Sequence, residues 1–273
     1  MSFFKTLSYR MKMIFFPSFR KSEKFLTNID DQNHSIDDKN GDFYRLAVVQ
    51  YEHQNFKSSK DFHAKILSIV KEAKSNYAKI VLFPAGMNME LYSVTEDALS
   101  DSQLSKISEE CLKIFSNVAY TEKIILSYAD LFRGKRSFHL LDQNGKSIEE
   151  KIFTVEDVKI SFIDYDSDDV DLILNPSLMK KWVSDYESFA HAWLYSQQKN
   201  VFSAEAYMVG DHFVGQSGIY APLEATDALN GILKQAQSKS LGELLIEKID
   251  FSKIKALKVQ KNDEYDRLFA NKN

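Results

Sequence analysis

The sequence predicts an α/β fold, a sheet threaded with crossover helices, and three observations carry that prediction. Between residues 45 and 129, short β-branched runs alternate with stretches whose apolar residues recur at helical spacing, the rhythm of strands joined through helices. Beyond residue 130 the runs stay short, but the gaps between most of them shrink, which adds strands without adding helices. Apolar residues make up 44% of the chain and aromatic residues 13%, enough to fill a core and too many for global disorder.

Taken in order, RLAVVQY (45–51) is the first strand. Phe62, Ile66, Leu67, Val70 and Ala73 form the stripe of a helix opened by Ser58 or Ser59. KIVLF (79–83) is a second strand, and Leu104, Ile107, Cys111, Phe115 and Val118 stripe a second helix. KIILSYA (123–129) is a third strand. RSFHLL (136–141) and SIEEKIF (147–153) read as a β-hairpin closed by Asn144-Gly145. VKISFIDY (158–165) and DLILNPS (171–177) are strands, and a helix is expected over about 184–199. VFSAEAYMV (201–209), SGIYAP (217–222) and ELLIEKIDF (243–251) complete the strands, followed by a charged tail.

Three zones divide the 273 residues. Residues 1–26 are a basic aromatic arm, with Lys5, Arg10, Lys12, Arg20, Lys21 and Lys24 against Glu23 and with Phe3, Phe4, Leu7, Met11, Ile14 and Phe15 near helical spacing. Such a segment suits an anionic membrane surface or a protein partner, or packs as a terminal helix on its own domain or a dimer mate. Residues 27–42 are a polar acidic linker, and residues 43–273 carry the globular pattern. The net charge of −4 and the lack of a basic stripe argue against nucleic acid. One cysteine, Cys111, rules out a disulfide within the chain. No run reaches the roughly 20 apolar residues of a membrane span, and Lys5, Arg10 and Lys12 interrupt any signal-peptide core. The expected location is cytoplasmic, with peripheral membrane contact left open.

The order of these elements resembles the carbon–nitrogen hydrolase superfamily, the nitrilase and amidase fold. RLAVVQY looks like its opening strand, and KIVLFP like the strand that normally ends Phe-Pro-Glu. HLLDQNGKSIEEK resembles the hairpin before its lysine, and DVDLILNPS the strand after its nucleophile. DHFVGQSGIYAPLEA matches its late Phe-x-Gly-x-Ser pattern, and LLIEKIDFSKIKALK its closing strand and tail. The match covers about residues 44–268. It implies an α-β-β-α sandwich, two mixed sheets between helix layers, and a homodimer in which those layers continue.

The family's chemistry joins a cysteine nucleophile, a glutamate base and a lysine that supports the developing anion. Carried onto this chain, the glutamate position is Ala85, five residues before Glu90. The lysine position is Lys151, followed by Phe153 and Thr154 where histidine and leucine are usual. The cysteine position is Asp164, in FIDYD. A helical segment that normally walls the pocket is missing between FIDYD and DLILNP, and Cys111 sits mid-stripe on a helix. The resemblance therefore implies a hydrolase of non-peptide C–N bonds, while two of its three catalytic positions are replaced.

Three readings follow: a non-catalytic binding or scaffolding module, an amidase-type hydrolase rebuilt around Lys151 and Asp164, or a peripheral membrane protein docking through its arm. No cofactor is expected. The acidic run Asp164, Asp166, Asp168, Asp169 and Asp171 is not an EF-hand and reads as a solvated connection, so no metal is expected. His139 and His191 read as ordinary packed or exposed histidines, and Ser217 as a residue that shapes the fold rather than a nucleophile.

Overall fold

The computed structural model describes residues 44–56, 58–91, 101–165, 169–181 and 191–258. The arm, the linker and the first part of the expected helix 184–199 lie outside these residues.

The eleven strands among the described residues form one curled, mixed hydrogen-bonded network, in which three strands branch from a path of eight. One wing holds β1 (Tyr44–Glu52), β2 (Ile80–Ala85), β3 (Ile125–Phe132), β4 (Lys135–Leu141) and β11 (Glu243–Ile249), in the order β4-β3-β2-β1-β11. The other holds β5 (Ile152–Val155), β6 (Val158–Phe162), β7 (Leu172–Leu178), β8 (Phe202–Val209), β9 (Gly218–Tyr220) and β10 (Ile232–Gln235), in that order. The wings meet where the carboxyl ends of β1 and β8 pair in parallel, through Tyr51↔Met208 and Glu52↔Val209.

The core follows from period-two alternation on these strands. Leu46, Val48, Ile80 and Leu82 of the first wing share one cluster with Ile160, Leu172, Leu174, Phe202 and Ala204 of the second. The opposite face of the first wing, with Ala47, Val49, Val81 and Phe83, is covered by α1 (Ser59–Ser75) and α2 (Asp101–Glu122) through Phe62, Ile66, Val70, Cys111 and Phe115. On the second wing, Tyr195 of α3 (His191–Lys199) packs with Val170, Ile173 and Val201. Ser58 caps α1 by accepting from the Asp61 amide at 3.2 Å, satisfying one of the donors a helix start leaves open.

The structure corrects four sequence expectations. The turn Asp142–Lys146 closes, with Gly145 N donating to Asp142 O at 2.9 Å, but the hairpin stops after the bridge Leu141↔Ser147 and a bond from Ile148 N to Leu140 O. The second arm leaves to form β5, which pairs with β6. The strand expected over 158–165 ends at Phe162 and turns into a 3-10 helix, Ile163–Tyr165. Strand β10 was not anticipated. The tail beginning at residue 251 is helical to 258 (α4), where Phe251, Ile254 and Leu257 join the inner core.

Candidate functional site

The carboxyl ends of β2, β7 and β8 and the 3-10 turn after β6 open onto one cavity of about 690 Å3. This is where an open α/β sheet presents ligands to side chains, and the volume lies within the range of small-molecule sites. Ala85, Leu131, Ile163, Leu178 and Met179 supply apolar wall, and Leu194, Tyr195 and Gln198 of α3 close one side. The polar lining is Arg136, Asp164, Asn175, Ser177, Lys180, His191 and Tyr207.

A buried carboxylate organises the floor. Glu205, fully buried on β8, accepts at Oε1 from Asn175 Nδ2 at 2.7 Å, Ser177 Oγ at 2.8 Å and Tyr207 OH at 2.8 Å. Its Oε2 accepts from the Ala192 amide at 3.3 Å in the first turn of α3, so a strand residue pins a helix start. Burial raises the Glu205 pKa by more than the bonds from Tyr207 and Ser177 lower it. His191 Nδ1 stands 3.9 Å from Oε1.

Arg136 enters from β4. Its Nη1 donates to Asn175 Oδ1 at 2.7 Å and to Pro176 O at 3.0 Å, and its Nη2 donates to Asp164 Oδ1 at 2.5 Å. The guanidinium carbon also lies 5.1 Å from the Phe138 ring centroid. Sequence reasoning missed Arg136, although a signal was present. It shares a strand face with Phe138 and Leu140, both set against the inner core, and a charge on the inward face of a strand needs a reason. Glu205 carried the same signal as the one charge in the mostly apolar VFSAEAYMV.

Of the three positions carried over from the family, the structure brings two together. Ala85, wholly buried, and Asp164 both line the cavity. Lys151 does not line it; its side chain is exposed, with Nζ 5.9 Å from the Tyr165 ring centroid. The partner of Asp164 is Arg136. Glu90 points elsewhere, buried with Tyr51 OH and Gln54 N each donating to it at 3.1 Å and with His53 as its ion pair.

Cys111 lies on α2 with no exposed surface. Burial, helped by the charge of Asp130, pushes its thiol pKa up, the opposite of what a nucleophile needs. His139 stacks on Tyr128, with centroids 4.7 Å apart, and bonds Asp130 Oδ2 at 3.1 Å. Ser217 is structural: its Oγ accepts from Tyr207 N at 2.9 Å and its own amide donates to Gln50 Oε1 at 2.9 Å. Among the described residues, no group of three or more His, Cys, Asp or Glu side chains is placed to hold a metal ion. None of the described helices is long and apolar enough to cross a membrane.

No family profile matches the sequence, and no curated protein does. Solved structures do match. A double mutant of the amidase from Nesterenkonia sp. AN1, in complex with acrylamide, is 14% identical with a TM-score of 0.58, over 85% of this chain and 100% of that one. A single mutant of that amidase, carrying the acetamide moiety of fluoroacetamide on its active-site cysteine, is 14% identical with a TM-score of 0.57, over 84% and 99%. The NitFhit protein of C. elegans is 11% identical with a TM-score of 0.61, over 82% of this chain and 64% of that one. The Nesterenkonia amidase is described as a nitrilase-superfamily member, and at these identities the likeness is one of fold.

Proposed function

We propose that this chain is a nitrilase-superfamily relative that has lost C–N hydrolysis and serves as a binding or scaffolding module. One observation carries the reading: among the described residues the cavity is lined by no thiol, Ala85 stands where the family places its base, and Asp164, at the nucleophile position, is held by Arg136. A carboxylate whose charge is stabilised by a guanidinium is a weakened nucleophile, and among the described lining residues no second carboxylate stands beside it to take a proton. A second reading, a rebuilt amidase-type hydrolase, rests on the same geometry. Arg136 would then support the oxyanion in place of Lys151, with Asp164 as nucleophile.

The two part on turnover of a panel of amides, nitriles and N-carbamoyl compounds by the full chain beside Lys151→Ala and Asp164→Ala. The expected result is no turnover above background. Turnover abolished by Asp164→Ala would establish the rebuilt site and end the first reading.

Three further parts of the reading rest on the family resemblance. The wings and helices form the family's α-β-β-α sandwich. The chain pairs as a homodimer, for which the exposed Leu223, Leu229 and Ile232, on the segment that Trp193 and Gln197 of α3 hydrogen-bond, offer apolar surface. The protein is cytoplasmic, and residues 1–26 act as a contact element for a membrane surface or a protein partner.

A further inference from the structure

Arg136, the half-buried cation of the cavity, is ion-paired with the more exposed Asp164. We propose that Arg136 is the anchor for a small organic carboxylate with an apolar body, and that Asp164 is an internal carboxylate holding that position until the ligand arrives. The inference rests on the non-catalytic reading, because it treats Asp164 as a displaceable partner rather than a reacting group.

The two ends of the ion pair differ in how firmly they are fixed. Arg136 is held from behind: Nη1 is bonded to Asn175 Oδ1 and Pro176 O, both on β7, and Phe138 lies beside the guanidinium. Losing Asp164 leaves these contacts in place, so the cation stays positioned for a new acceptor. Asp164 has only a three-residue 3-10 turn beneath it, its side chain is 44% exposed against 28% for Arg136, and an ion pair this exposed contributes little. A preorganised guanidinium facing a weakly held carboxylate exchanges one carboxylate for another at small cost.

The rest of the lining fits the same ligand. Lys180, exposed at the rim, adds a second positive charge. Asp164 is the sole carboxylate among the described lining residues. The walls from Leu131, Ile163, Leu178, Met179 and Leu194 suit an apolar body. The floor hydroxyls of Ser177 and Tyr207 spend their protons on Glu205.

The test is calorimetric titration of the full chain, at neutral pH and low salt, with three probes of one shape: phenylacetate, phenylacetamide and phenethylamine. Phenylacetate is expected to bind, and more tightly than the amide or the amine. Asp164→Asn removes the competitor and tightens phenylacetate by about two- to fivefold, the worth of an exposed ion pair. Arg136→Lys, which loses the planar fork, weakens it by about tenfold. Should Arg136→Lys fail to fold, Asp164→Asn decides alone, since that side chain is nearly half exposed and sits on a short turn. A preference for phenethylamine overturns the proposal, as does an Asp164→Asn variant that binds phenylacetate no better, or no phenylacetate binding by either protein. Ammonia released from phenylacetamide during the same titrations would sink the non-catalytic reading, while the order of the three affinities would still judge the ligand class.

Discussion

Glu205 shows how one residue couples stability to the site. Three buried donors converge on its Oε1 and a helix amide on its Oε2. Glu205→Ala strands those donors, and its cost is expected at about 3–5 kcal/mol, read as a lowered denaturation midpoint with an unchanged slope. Two groups with raised folded pKa values contribute to the pH dependence. Glu205 is raised above 4.5 by burial, and His53 above 6.5 by its bond to Glu90. A raised folded value means the native state holds the proton more tightly than the unfolded chain does. Each contribution is therefore full below the unfolded pKa and lost as pH rises through the folded one. The Glu205 loss begins above about 4.5, and the His53 loss above about 6.5. Comparing unfolding free energies of wild type and His53→Ala from pH 6 to 9 should show the wild type losing its advantage as pH rises. A difference that does not shrink would refute the assignment.

At the scale of elements, local signals were legible and partner choice was not. Asn144-Gly145 correctly marked a turn, because Gly145 adopts φ +70° and a Cβ there would lie 2.3 Å from Ser116 O on α2. Gly145→Ala is therefore expected to cost about 1–3 kcal/mol, measurable by thermal or denaturant unfolding, and a neutral result would mean the turn yields. The same signal could not say where the second arm goes. Beyond Ser147 the chain abandons β4 for β6, since the choice depends on which edge the rest of the fold leaves open. The Phe-x-Gly-x-Ser pattern was legible for a related reason: at Gly215 a Cβ would lie 2.2 Å from Tyr207 Cβ, so that position tolerates nothing larger. Strand 158–165 was overextended because Ile163 and Tyr165 add β-prone apolar residues after Phe162, although they break the alternation of Val158, Ile160 and Phe162 where the backbone turns into a 3-10 helix. The 251–258 helix was hidden by its lysines, although Phe251, Ile254 and Leu257 carry a helical stripe.

At the scale of the molecule, two of the three positions carried over from the family, Ala85 and Asp164, line the cavity, and Lys151 does not. A residue-by-residue transfer from short motifs assigned Lys151, just before β5, whereas the cation lining the cavity beside Asp164 is Arg136 of β4. Which charge enters a cavity depends on the curl of the sheet, and that is not written in any single motif. The proposed homodimer is also tested at this scale. Sedimentation velocity is expected to show a dimer, with Leu229→Asp shifting it toward monomer, because a charge in an apolar contact must be desolvated. A wild-type chain sedimenting as a monomer at tens of micromolar would remove the dimer from the reading. Deleting residues 1–26 should weaken binding to anionic liposomes at low salt if the arm docks on membranes, and unchanged binding would exclude that role.

The antiparallel pairing of β1 with β11 runs from Tyr44↔Ile249 to Gln50↔Glu243, joining nearly the first described residues to nearly the last. A ribosome making this protein thus releases the opening strand long before the strand that covers its flank. Until Glu243 and its neighbours emerge, that flank is an unpaired edge in an apolar segment, the kind of surface that recruits chaperones or other nascent chains. A message truncated shortly before codon 243 would yield a chain containing every residue described around the cavity, yet one expected to aggregate rather than bind.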